Sequence, residues 1–112
     1  MSPDPEAIAR AKQILERLWE QHKGTILERV SALEIAAASA PHLDVAARQE
    51  ARSAAHKLAG SLGTFGYNDA SDWARESEQI LEKEQIDTAD QQRLVANAQK
   101  IRNLLATPRS RS

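Results

Sequence analysis

Apolar residues recur at three- and four-residue spacing along almost the whole chain, which is the period of a helix with one buried face. After Asp4 and Pro5 the series runs Ile8, Ala11, Leu15, Leu18, His22, Ile26, Val30, Leu33 and Ala37 without losing phase. Gly24 points away from that stripe, so the pattern predicts one long helix, or two nearly collinear ones bent at the glycine, from Pro5 to about Ser39. Ser39-Ala40-Pro41 ends it. A second helix is expected after Asp44 as N-cap, running to about Phe65, with Gly66 where a left-handed C-cap belongs. Asn68 or Asp69 then caps a third, to about Lys83, with Ala70, Trp73, Ala74, Ser77, Ile80 and Leu81 inward. The fourth runs from about Ala89 to Ala106, started by Thr88 with Gln91 at capping-box spacing, and turns Leu94, Ala98, Ile101, Leu104 and Leu105 inward. Short connections between amphipathic helices favour antiparallel neighbours. The fold class expected is therefore all-α: an up-down-up-down four-helix bundle with a long N-terminal helix, occupying residues 1–106. Residues 107–112, TPRSRS, lack apolar content and read as a flexible tail or the start of an interdomain linker.

Composition narrows what such a bundle can do. With 112 residues the chain can bury roughly two thirds of its unfolded surface, enough for a core without cross-links. It has no cysteine, which excludes disulfides, thiolate nucleophiles and cysteine-held metal centres, and fits a cytoplasmic location. Neither an export signal nor an apolar run long enough for a membrane span is visible. Fifteen Lys and Arg against sixteen Asp and Glu give a net charge of -1, so the global electrostatic argument for nucleic acid or an anionic membrane is absent. No metal site is expected, because His22, His42 and His56 are scattered and no H-E-x-x-H or E-x-x-H spacing occurs. Glycine-rich nucleotide motifs are missing as well, so no cofactor is expected on this chain.

One stretch departs from ordinary helix composition. Ala55 to Gly66 reads AHKLAGSLGTFG, placing two of the four glycines inside a helical repeat. Each costs about 1 kcal/mol relative to alanine. On a helical wheel with Ala51 at zero, Ala47, Ala54, Ala55, Leu58, Leu62 and Phe65 fall within about 60 degrees and form the core arc. His56 lies at about 140 degrees, Gln49 at 160, Gly60 at 180, Gly63 at 120 and Arg52 at 100, all outward. A solitary helical histidine is ordinarily just a surface residue. Bare backbone one and two turns after it is not ordinary, and it predicts a cleared face through which a macromolecule reaches the imidazole. Gln49, Ser53, Gly60 and Gly63 are the expected partner-binding positions.

His56, Lys57, Leu58, Gly60, Ser61, Gly63 and Phe65-Gly66 together closely resemble the signature of histidine phosphotransfer (HPt) domains, the relay modules of two-component signalling. The resemblance implies that His56 accepts a phosphoryl group on Nε2 from a receiver-domain aspartate and passes it to another receiver, with no kinase activity of the chain's own. Response-regulator receiver domains, in the same polypeptide or another, would be the partners and would supply the Asp and Mg²⁺. The family carries a lysine three residues after the histidine, where this chain has Ala59; Arg52 and Lys57 are the substitutes, Arg52 having the better direction. The family also holds the imidazole's other nitrogen with a polar residue on the following helix, which spacing assigns to Glu78, with Gln79 less well directed. Two other readings compete: a helical scaffold without phosphotransfer, and the dimerisation and phosphoacceptor domain of a histidine kinase. The latter normally has an acidic residue after the histidine and a proline shortly beyond, and this chain has Lys57 and no such proline.

Overall fold

The computed structural model describes residues 4–40 and 42–107 and contains four helices in the expected order. They are α1 (Pro5–Ser39), α2 (Val45–Thr64), α3 (Asn68–Leu81) and α4 (Thr88–Ala106). Each packs on its neighbours in sequence, and α4 closes the ring against α1. The result is an antiparallel four-helix bundle. No helix among the described residues is long and apolar enough to cross a membrane. The tail expected at the C-terminus falls on residues 108–112, outside the described residues; Thr107 caps α4.

Local chemistry explains where the elements begin and end. The Asp4 carboxylate accepts from the Glu6 N–H with Pro5 in the first turn, and the Asp44 carboxylate accepts from the Ala47 N–H at 2.7 Å. At the end of α2 the Tyr67 N–H reaches the Leu62 carbonyl at 2.8 Å and the Gly66 N–H reaches Gly63 at 3.1 Å. This is the paired bonding of a Schellman cap, and it requires the left-handed backbone that Gly66 adopts at φ 85°.

Two caps differ from expectation. Helix α3 starts directly at Asn68 behind Tyr67 with no side-chain cap, because the Schellman turn delivers the Tyr67 carbonyl to the Ser71 N–H and leaves Asn68 and Asp69 inside the first turn. Helix α4 is capped by Asp87 rather than Thr88: its carboxylate accepts from the Asp90 N–H at 2.8 Å, and Asp90 accepts from the Asp87 N–H at 3.2 Å. A carboxylate suits the positive helix end better than a hydroxyl. Gln91 instead donates to the carbonyls of Ala37 and Ala38, closing the end of α1.

The core joins Ile26, Val30 and Leu33 of α1 to Leu58 and Leu62 of α2 and Leu94 and Ile101 of α4, with the alanines Ala70 and Ala74 letting α3 approach closely. Trp19 stacks edge-on against Phe65 at 5.3 Å and caps that core, although it lies off the apolar stripe traced above. The first half of the stripe is mostly solvated: Ile8 and Leu18 are exposed, Leu15 is only partly buried against the core, and no described residue before Trp19 is fully buried. Periodicity fixes the phase of a helix, but burial needs a facing partner. At 1.5 Å per residue α1 is about 52 Å long against about 30 Å for α2, and the molecule measures 53 × 23 × 22 Å. The first turns of α1 overhang the bundle.

Charged clamps hold the flanks. Arg102 of α4 forks onto Glu34 of α1 at 2.7 and 2.8 Å, while Arg93 and the buried Asn97 converge on Glu76 of α3. Hydrogen bonds from these partners hold both carboxyls below the usual carboxylate range. A carboxyl with a lowered folded-state pKa stabilises the fold above its ordinary pKa, and that contribution is lost as the pH falls through the folded value. The urea midpoint of wild type is therefore expected to fall between pH 6 and pH 3, and by visibly less in Glu34→Gln/Glu76→Gln. Equal falls would show that these clamps do not carry the acid sensitivity.

Candidate functional site

The second helix carries His56 on the face turned away from Leu58 and Leu62, and its side chain is 74% exposed. Its Nδ1 lies 3.0 Å from Glu78 Oε2 on α3. Glu78 is only 17% exposed and stands in the seam between the helices, so its carboxylate is a fixed acceptor. A carboxylate accepts from Nδ1–H, which selects the tautomer with its lone pair on Nε2, on the far side of the ring. The arrangement is an oriented imidazole with its nucleophilic nitrogen turned outward. Gln79, the alternative to Glu78, is exposed on the next face.

The other histidines lack this setting. His22 is exposed on α1 with its ring centroid 6.4 Å from that of Phe65, and His42 is exposed in the α1–α2 connection. Among the described residues only His56 pairs with a carboxylate. No group of three His, Asp or Glu among the described residues comes together in a way that could hold a metal ion.

The glycines have separate uses. At Gly60 an added Cβ would meet nothing within 4 Å, so the backbone one turn beyond His56 is open. Gly63 is exposed as well, and a Cβ there would lie 3.4 Å from Ser71 Oγ and 3.9 Å from its Cβ, ordinary van der Waals contact. Gly63 therefore borders α3, whereas Gly60 faces open space. Ser71 also donates to the Ala59 carbonyl at 2.7 Å. Ala59 is itself buried beneath α3, so the position where the family carries a lysine is here part of the helix contact.

Gln49, Ser53 and Lys57 are exposed on the same helix. Arg52, one turn before His56, lies 3.5 Å from Glu82, the residue that caps the end of α3. With Gln49, Arg48 and Leu81 this pair borders a shallow groove of about 410 Å³ between the start of α2 and the end of α3. Arg48 is committed elsewhere: its guanidinium donates to the carbonyls of Leu81, Lys83 and Glu84, closing the end of α3. Sequence reasoning missed both Arg48 and Glu82. Glu82 was findable, since it follows Glu78 by four residues just as Arg52 precedes His56 by four.

Fold and site together describe a helical bundle presenting one oriented, solvent-facing imidazole. The chain matches the family model of the Hpt domain over residues 6–109, nearly its whole length, and it belongs to that family. Its general role is accordingly histidine phosphotransfer in a phosphorelay. No curated protein and no solved structure matches the chain.

Proposed function

We propose that His56 is the phosphoacceptor of a relay between receiver domains, taking the phosphoryl group from an aspartyl phosphate and returning it to a second receiver aspartate. The observation that carries this reading is the contact of His56 Nδ1 with Glu78 on a ring that is otherwise exposed. Neutral imidazole is a competent nucleophile near neutral pH, and phosphoryl transfer demands mainly positioning and charge stabilisation. The Nε2 lone pair attacks phosphorus in line, the Nε2–P bond forms, and the P–O bond to the receiver aspartate breaks with that aspartate leaving as a carboxylate. Nδ1 keeps its proton, and the positive charge that develops on the ring lies against the Glu78 carboxylate. In the return step an oxygen of the second aspartate attacks phosphorus, and the N–P electron pair goes back to Nε2. Mg²⁺ belongs to the receiver, where it would neutralise charge on the phosphoryl oxygens.

Open backbone at Gly60 supports docking on this face, with Gln49, Ser53 and Lys57 around it. The direct test incubates the domain with phosphorylated receivers and locates acid-labile, base-stable label by mass spectrometry. Label on His56 is the expected result; label absent, or confined to His22 or His42, would reject the assignment.

Glu78 makes a separate prediction. Glu78→Ala should slow transfer by about 10- to 100-fold, the loss that follows removal of a group orienting a metal-bound histidine, whereas Glu78→Gln keeps an acceptor oxygen and should retain more of the rate. Imidazole ¹⁵N chemical shifts should show the alanine variant losing its single tautomer. An alanine variant with the wild-type rate and tautomer would remove Glu78 from the mechanism.

A further inference from the structure

Two cross-helix pairs stand in line on the α2–α3 face. His56 meets Glu78 at 3.0 Å, and Arg52 meets Glu82 at 3.5 Å. Because Arg52 precedes His56 by four residues and Glu82 follows Glu78 by four, the second pair sits one helical turn from the first in these antiparallel helices. The second pair is the looser one. Its two side chains are 46% and 50% exposed, and its separation exceeds the roughly 2.7–2.9 Å of a close charge-assisted hydrogen bond.

Phosphorylation changes what Arg52 sees. A phosphoryl group on Nε2 brings a charge of about -1.5 to -2 and three strong acceptor oxygens. It would stand on the same helix face as Arg52, whose Cβ is about 5–6 Å from that of a residue one turn away. A dianion at that distance competes with a half-exposed monoanionic carboxylate for one guanidinium, and the planar fork of arginine suits phosphoryl oxygens. Of the other cations nearby, Arg48 is bonded to three carbonyls, and Lys57, adjacent to His56, is turned 100 degrees from it around α2; Ala59 offers no charge.

We propose that Glu82 holds Arg52 in reserve in the free protein, and that Arg52 leaves Glu82 for the phosphoryl group once His56 is phosphorylated. Arg52 then acts as the cation missing at Ala59, and Glu82 is a positioning residue that acts through it. The proposal rests on His56 as the phosphoacceptor, but its test does not depend on any receiver.

The test uses the full chain with His22→Gln and His42→Gln, phosphorylated by phosphoramidate. The Nε2–P bond forms as the P–N bond of the reagent breaks and ammonia leaves. The ³¹P resonance of phosphorylated His56 is then titrated with pH. Charged groups around the phosphoryl group are Arg52 and Lys57 of α2, Glu78 of α3 and Glu82 at the C-cap of α3. A cation beside a phosphoryl group favours its dianion, so Arg52→Gln should move the titration midpoint upward, by about threefold in the protonation constant for one charge at this distance in water. Arg52→Lys should restore most of it. Glu82→Gln should move the midpoint downward, and by clearly more while Arg52 is present than in Arg52→Gln, the signature of coupling in a double-mutant cycle. An unmoved midpoint in Arg52→Gln, or an equal Glu82→Gln shift in both backgrounds, would overturn the exchange. Failure of receiver-dependent transfer with this titration pattern intact would reject the relay reading alone.

Discussion

His56→Gln is expected to abolish phosphoryl transfer from receivers while leaving the fold as stable as wild type. Glutamine has no basic nitrogen to form an N–P bond, so the loss should be complete rather than partial. The side chain is 74% exposed and contributes one contact, to Glu78, so the change in stability should stay within about 0.5 kcal/mol, as for most surface substitutions. Label transfer followed by gel autoradiography, beside thermal melts of both proteins, measures the two quantities together. The same variant separates the relay from a helical scaffold: a scaffold would bind its partners equally well with either residue and carry no label in either form. Label of equal intensity on the glutamine variant would place the acceptor elsewhere.

Gly60→Glu should raise stability and lower activity, opposite signs that a purely structural glycine cannot produce. A Cβ at residue 60 meets no heavy atom within 4 Å, and the residue sits inside α2, so replacing glycine by a better helix former should contribute up to about 1 kcal/mol of stability. Yet the new carboxylate would stand one turn from His56, on the face where, in the proposed relay, a receiver brings its phosphorylated aspartate. Bulk and like charge both oppose that approach, and transfer should slow by about tenfold or more. Gly60→Ala separates the two effects, since it should gain the stability and keep most of the rate. A Gly60→Glu variant that transfers at the wild-type rate would show that docking does not cross this part of α2.

Why Gly60 and Gly63 behave differently also shows how far the sequence could be read. Both fall outside the core arc of the wheel, and both cost the helix the same propensity. The wheel gives each residue an angle but not the position of the neighbouring helix, and the roughly 60 degrees between them set Gly60 against open space and Gly63 against Ser71. The same limit explains α1. Its apolar phase is continuous from Ile8 to Ala37, but only the part facing α2 and α4 is buried, and Trp19, off the traced stripe, closes the core against Phe65. Caps were legible to within a residue. Thr88 and Gln91 have capping spacing, and Asp87 and Asp90 have it as well; the stronger acceptors took the helix end.

Local terms by themselves determined the helical class, the four segments, the left-handed turn at Gly66 and the exposed placement of His56. Each depends on spacing and backbone preference within about a turn or two of chain, which the order of residues records directly. Tertiary structure alone decided which half of α1 is buried, that Ala59 lies buried beneath α3, and that Arg48 closes the end of that helix. Those contacts join residues tens of positions apart, and their geometry is set by how deeply two helices pack and at what rotation. His56 and Glu78 show the two kinds of information meeting: spacing could nominate the carboxylate, but only the packing of α2 on α3 brings it to 3.0 Å from the ring.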